Sequence, residues 1–135
     1  MNYRTGIVSS LAEIGESAWS ALLEAQADGN PFLSYAFLHA LHESGSAAPD
    51  TGWQPQYLAL WQGDTLAAAM PLYVKSHSYG EYVFDWAWAE AYERNGVDYY
   101  PKLLSAIPFT PVSGARLLAR DEQARAALVE LLCDQ

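Results

Sequence analysis

Apolar positions along the chain follow two rhythms. Leu11, Ile14, Ala18 and Leu22 recur at helical spacing, with Trp19 and Leu23 beside them, and predict an amphipathic helix. Ser10, with Glu13 three residues on, has the form of a capping box at its start, and Asp28-Gly29-Asn30-Pro31 stops it. A second helix is predicted over residues 34–44, with Ser34 as N-cap, Gly45 as stop and Phe37, Leu38 and Leu41 as its apolar face. Residues 46–52 read as a loop. Strand rhythm marks residues 3–9, then 56–61 and 65–74, the last two joined by the hairpin signal Gln62-Gly63-Asp64. Pro71, inside the second of these, demands an edge position or a bulge.

Residues 81–86 alternate, placing Tyr82, Phe84 and Trp86 on one face of a strand and Val83 and Asp85 on the other. A helix is predicted over 87–95, ended by Gly96, and a further short one over 100–106. Residues 107–110 and 114–119 read as short extended pieces separated by Pro111. Asp121 caps a final helix over 122–133, with Ala124, Leu128, Leu131 and Leu132 on one face. The order β-α-α-β-β-β-α-α-β-α predicts an α+β domain, with a mixed, mostly antiparallel sheet flanked by helices. The final helix meets no Gly or Pro stop, which is expected of a chain cut from a longer one.

Bulk properties narrow the function classes. A chain of 135 residues makes a single domain, able to bury about two thirds of its unfolded surface. A net charge of −9 with seven Lys and Arg argues against direct nucleic-acid binding, for want of a basic stripe to meet phosphates. Cys133 is alone, so no internal disulfide and no zinc spacing exist, and a reducing cytoplasm is the expected location. No signal-peptide core opens the chain and no apolar run is long enough for a membrane span.

Candidate chemistry concentrates in residues 75–102. Eight of the eighteen aromatics fall there, interleaved with charged and hydroxyl side chains. Such a mixture suits a wall gripping a part-apolar, part-polar ligand as well as a core whose tyrosine hydroxyls reach the surface. His77 is a candidate general base and Glu81 a nearby carboxylate. Asp85, flanked by aromatics, is expected either to be desolvated with a raised pKa or to cap a helix. Tyr99-Tyr100-Pro101-Lys102 and Pro108-Phe109-Thr110-Pro111 set rigid backbone around aromatics. Elsewhere, His39, His42 and Glu43 lie at i, i+3 and i+4, within reach of one metal, but a polar helix face explains them better and no metal site is assigned. No Gly-rich phosphate cradle occurs, so no cofactor site is assigned within the chain.

Two long runs carry a resemblance: KSHSYGEYVFD, beginning at Lys75, and YYPKLLSAIPFTPV, beginning at Tyr99. With NPFLSYAFLHALHESGS and GWQPQYLAL upstream, about two thirds of the chain resembles the N-terminal part of a bacterial FemAB-like family, related to peptidoglycan-bridge aminoacyltransferases and built on acetyltransferase-like (GNAT) folds. The resemblance implies an N-terminal, incomplete acetyltransferase-like unit of an acyl- or aminoacyl-transferase acting on an amine acceptor, with acyl-CoA or aminoacyl-tRNA as donor to the complete protein. On this reading His77, Glu81 and Asp85 are the catalytic candidates. Lys75, Tyr79, Trp86, Trp88, Tyr99 and Tyr100 are the substrate-binding candidates, and the acceptor is a small molecule or a peptide. The isolated unit is expected to be inactive, and exposed half-core surface would favour a homodimer. The alternative is a non-catalytic module recognising a peptide, glycan or protein through the aromatic wall.

Overall fold

The computed structural model describes residues 2–26, 31–79, 81, 85–110 and 116–135. Among them, seven strands form two antiparallel sheets. The larger has the order β1 (Arg4–Val8), β3 (Tyr57–Gln62), β4 (Thr65–Met70), β7 (Leu118–Ala119), and the smaller β2 (Trp53–Pro55), β5 (Tyr73–Lys75), β6 (Lys102–Leu104). Four α-helices accompany them: α1 (Glu16–Glu24), α2 (Tyr35–Glu43), α3 (Trp86–Arg94) and α4 (Glu122–Cys133). The α+β class and its antiparallel pairing follow the expectation, but the strands divide between two sheets.

Pro71 causes the division. It has no N–H to offer a ladder, so the strand expected over residues 65–74 stops at Met70 and resumes as β5 at Tyr73. The partner strand breaks opposite, at Gln56, whose N–H donates to Leu72 O at 2.8 Å across the joint. Across the same joint the buried hydroxyls of Tyr57 and Tyr73 meet at 2.9 Å. Burial pushes the Tyr57 phenol up to about 12, against the pull of this hydrogen bond, and burial likewise raises Tyr73.

The larger sheet is covered on both faces, so Tyr57, Leu58, Ala59 and Leu60 are all buried in succession. Tyr57 and Ala59 join Trp19 and Leu22 of α1 and Leu38 of α2 in one cluster, while Leu58 and Leu60 join Met70, Ala124 and Leu128 on the α4 side. The register slips beside Leu60, which pairs with Ala68 while Trp61 pairs with Leu66. Ala67 is the extra residue of this bulge, and its carbonyl accepts from Arg120 N at 3.0 Å.

Local signals are mostly realised. Ser34 accepts from Phe37 N and Asp121 from Ala124 N, capping α2 and α4, and the Ser10–Glu13 capping box forms. That box opens a single 3-10 turn, because Gly15 at φ 97° interrupts the helical stripe before α1 begins. Residues 100–106 are not helical: Lys102–Leu104 is a strand, since its backbone partners lie in β5 and not one turn away. Residues 107–110 contain a turn, and the segment 46–52 includes the 3-10 turn Pro49–Thr51. Residues 82–84 of the strand expected over 81–86 lie outside those described; Glu81 lies in a bend, Asp85 immediately precedes α3 and Trp86 belongs to it, so none of these three is in a strand.

Leu128→Ala is expected to cost about 2–5 kcal/mol, by removing a fully buried side chain between α4 and the sheet. Val129→Ala, next along α4 and exposed, should stay within about 0.5 kcal/mol. Urea denaturation of both variants checks the pair, and equal losses contradict the burial assigned to α4.

Candidate functional site

The chain leaves the smaller sheet at Lys75 and returns to it at Lys102, and these two lysines are direct cross-strand partners. Like charges placed opposite one another repel. The excursion between them supplies the answer. Glu81 stands between both ammoniums, with Oε1 2.7 Å from Lys102 Nζ and Oε2 3.8 Å from Lys75 Nζ. Lys102 also reaches Asp85 Oδ2, which accepts the Tyr99 hydroxyl at 2.8 Å. The result is a line of alternating charge: Lys75, Glu81, Lys102, Asp85, ending at the phenol of Tyr99.

Lys75 is fully buried. Its ammonium donates to Tyr79 O at 2.6 Å and sits 4.1 Å from the ring centroid of Trp53, a cation–π contact worth about 2 kcal/mol when desolvated. Burial lowers its pKa; Glu81 opposes that and Lys102 adds to it. Burial would lower Lys102 too, but its hydrogen bonds to Asp85 and Glu81, together with their charges, raise it overall. Partial burial pushes the Asp85 carboxyl up, and the bonds from Lys102 and Tyr99 more than reverse this, leaving it below the usual carboxylate range. The raised value expected for Asp85 is thereby corrected: a cation outweighs the aromatic surroundings. Asp85 stands at the N-cap position of α3, but its side chain makes no cap hydrogen bond. Burial and then the bond to Asp85 raise the Tyr99 phenol.

Alongside lies α3, none of whose residues is buried. Trp86 and Trp88 are 61% and 65% exposed, which corrects any reading of these aromatics as core. Trp88, Ala91, Tyr92 and Asn95, one helical stripe, line a groove of about 250 Å³ with Val97. Tyr92 meets Tyr99 edge-on at 5.0 Å, and Tyr99 meets Tyr100 at 4.9 Å, so the groove adjoins the charged line through Tyr99.

A family model described as FemAB-like, peptidoglycan biosynthesis/recognition, matches residues 10–135. The chain belongs to the FemAB-like family. No curated protein and no solved structure matches it. FemAB-like proteins are GNAT-related, in keeping with the α+β fold.

Within this FemAB-like chain, Lys75, Glu81, Asp85 and Tyr99 converge, and Tyr100 lies beside them with its hydroxyl buried and without a hydrogen-bond partner among the described residues. Tyr79 contributes its carbonyl to Lys75 while its ring is 59% exposed. His77 forms no ion pair with these charges among the described residues. Its Nδ1 accepts from Tyr79 N at 3.2 Å, so the neutral ring carries its proton on Nε2. The ring lies against Gly52, at φ 81°, where a Cβ would come within 2.4 Å of Nε2. His39 pairs with Glu43 at 3.6 Å, and no metal-holding cluster occurs among the described residues. Phe109 is half exposed at φ 61°, its ring 5.7 Å from Trp53.

Lys102 and Trp53 are the members of the cluster that sequence reasoning did not single out. Lys102 was visible in Tyr99-Tyr100-Pro101-Lys102, but its role depends on pairing with Lys75 in the β5–β6 register. Nothing in the local pattern points to Trp53 as the face beneath a lysine.

Lys102→Met removes the cation shared by two carboxylates. The expected loss is about 3 kcal/mol of unfolding free energy, the scale of breaking a buried ion pair from one side, and a urea midpoint unchanged from wild type contradicts the bridge. Asp85 yields a pH prediction. Because its folded pKa is depressed, its ionised form contributes stability that is complete above about pH 4 and lost as pH falls through the folded value. Asp85→Asn should therefore flatten the decline of stability below about pH 4. Parallel acid limbs for variant and wild type would show that Asp85 is not held ionised by its neighbours.

Proposed function

We propose that the chain forms the acceptor-binding unit of a transferase in the FemAB-like family, one that moves an acyl or aminoacyl group onto an amine of a peptidoglycan precursor. The observation carrying this reading is the line Lys75–Glu81–Lys102–Asp85, placed beside the aromatic groove of α3. An amine acceptor attached to a larger, part-apolar body needs both parts: oriented charge at the reacting nitrogen and ring surface for the remainder.

In the reaction proposed, the amine nitrogen attacks the carbonyl carbon of an activated ester or thioester. A C–N bond forms, the donor's C–O or C–S bond breaks, and the proton that the amine gives up passes, directly or through solvent, to the departing hydroxyl or thiol. Glu81 is the better-placed group to receive the amine. His77 could take a proton at Nδ1 only by giving up its bond to Tyr79, and this leaves it a supporting role in the turn. Acyl-CoA or aminoacyl-tRNA is the donor proposed for the whole protein, bound outside the described cluster. The cytoplasm, where such donors are found, is the location proposed. No helix among the described residues is long and apolar enough to cross a membrane.

A second reading has its own support. Trp86 and Trp88 are more than half exposed on a helix with no buried residue, and a module that recognises peptidoglycan fragments without chemistry would use such a face. Second copies of the chain could also meet there, and light scattering reads that outcome directly.

Transfer assays on the full-length protein separate these readings, with radiolabelled alanyl-tRNA or acetyl-CoA as donor and a stem pentapeptide as acceptor. Labelled peptide is expected, with kcat reduced at least about 100-fold in Glu81→Gln and changed less than about 10-fold in His77→Ala. Peptide binding without label from either donor would favour the recognition module.

A further inference from the structure

A groove of about 400 Å³ lies beside the turn that opens β4, at the opposite end of that strand from Pro71 and the smaller sheet. Its floor is apolar, with Leu22 of α1 and Leu66 of β4 both buried. Ala18, Ala21 and, at the end of the helix, Ala25 make the wall along α1. Short side chains at this spacing share one helix face and leave the space beside it unfilled. Two opposite charges line the groove without meeting each other. Arg120 stands at the Ala25 end, because Gln26 Nε2 donates to Ala119 O at 2.9 Å. Its Nε lies 3.6 Å from Asp121 Oδ2, and its terminal nitrogens have no hydrogen bond among the described residues. Asp121 is itself held by Ala124 N at 2.8 Å as the cap of α4. Asp64, in the turn, has no ion pair and no side-chain hydrogen bond among the described residues. Arg120 N meets Ala67 O, so three residues of strand, about 10 Å, separate the levels of the two charges. The hydroxyls of Ser17 and Thr65 border the same floor and are likewise unbonded among the described residues.

Such a lining complements a ligand with a carboxylate at one end, an ammonium at the other, a polar middle and small apolar side groups. A guanidinium fork takes a carboxylate through two parallel hydrogen bonds. A carboxylate accepts from an ammonium, and hydroxyls both donate and accept, as an amide in the middle requires. Length selects the size of the ligand. The wall runs from Ser17 to Ala25, about 12 Å along the helix axis. A two-residue peptide spans about 7 Å, and a charged hydrogen bond of about 2.8 Å at each end brings it to the length of the groove. We propose that this groove binds a zwitterionic dipeptide with small side chains, its carboxylate on Arg120 and its ammonium on Asp64. The site lies at the far end of β4 from Lys75 and Glu81, and it does not rest on the transferase reading.

Titrating the isotope-labelled chain with L-alanyl-L-alanine, and following its amide cross-peaks by NMR, reads place and affinity together. Saturable shifts are expected at Ala18, Ala21, Ala25 and Arg120, with a dissociation constant of about 1 mM, as suits an open groove. Three controls remove one feature each: alanine the second residue, N-acetyl-alanyl-alanine the ammonium, and alanyl-alaninamide the carboxylate. Each should bind about tenfold more weakly or worse, the factor of one lost charged hydrogen bond. Arg120→Gln and Asp64→Asn should each cost a similar factor, and Ala21→Phe, which fills the groove, should abolish binding. None of these three residues is buried, so the variants keep the fold. No saturable shift up to about 20 mM dipeptide, shifts confined to other residues, or blocked dipeptides binding as well as the free one overturns the proposal. Undiminished binding by both charge variants does so too. The same cross-peaks moving on dilution of the protein alone would give the groove to a second copy of the chain and overturn it equally.

Discussion

Two lysines facing each other across an antiparallel pair would ordinarily push their strands apart. Here the repulsion between Lys75 and Lys102 is what the excursion between them is built to neutralise. Glu81 stands between the ammoniums and Asp85 caps the series, so four charges sum to zero in alternating order. Each ion would be expensive to bury alone; together they close the base of the excursion and hold its start against its return. Helix α3, with no buried residue, contributes little to that closure. Among its described residues the excursion is anchored mainly by charge, in contrast to the apolar packing that holds α1, α2 and α4 to the larger sheet.

That contrast begins at Pro71. A single long hairpin would have carried β5 into the larger sheet, where both faces are covered by helices. Breaking at Pro71 and Gln56 turns β2 and β5 out of that sheet, so Lys75 ends a short strand beyond the joint. The break leaves the two sheets joined by the Gln56–Leu72 bond and the paired hydroxyls of Tyr57 and Tyr73. A doubly covered sheet lies on one side of this joint and a small, charge-bearing sheet on the other.

How much of this was legible in the sequence varies with the range of the forces involved. Caps at Ser34 and Asp121 depend on neighbours three residues away, and both were readable. The Gly15 interruption was hidden because Leu11, Ala18 and Leu22 keep helical spacing across it. Lys102–Leu104 was misread as helix because three residues carry no period, and only pairing with β5 decides their state. The same gap hid part of the candidate site. Aromatics mixed with charges in residues 75–102 drew attention to Lys75, Glu81, Asp85 and Tyr99. The register that turns these into a neutral line, with Lys102 as its bridge, is a property of two strands and could not be read from either. Family membership was carried by the long odd runs around the same residues, now covered by a match over residues 10–135.

The Tyr57–Tyr73 contact has a spectroscopic consequence. Nine tyrosines absorb in this chain, and exposed phenols ionise with a change in ultraviolet absorbance near their ordinary value, about pH 10. Tyr57 is pushed to about 12 and Tyr73 is raised as well, so both remain protonated through the range in which exposed phenols ionise. Their folded values lie above the unfolded ones, so the stability they contribute is present below about pH 10 and lost as alkali climbs through the folded value. In an alkaline titration these two rings become internal indicators of the seam, silent while exposed phenols colour and answering only at higher pH.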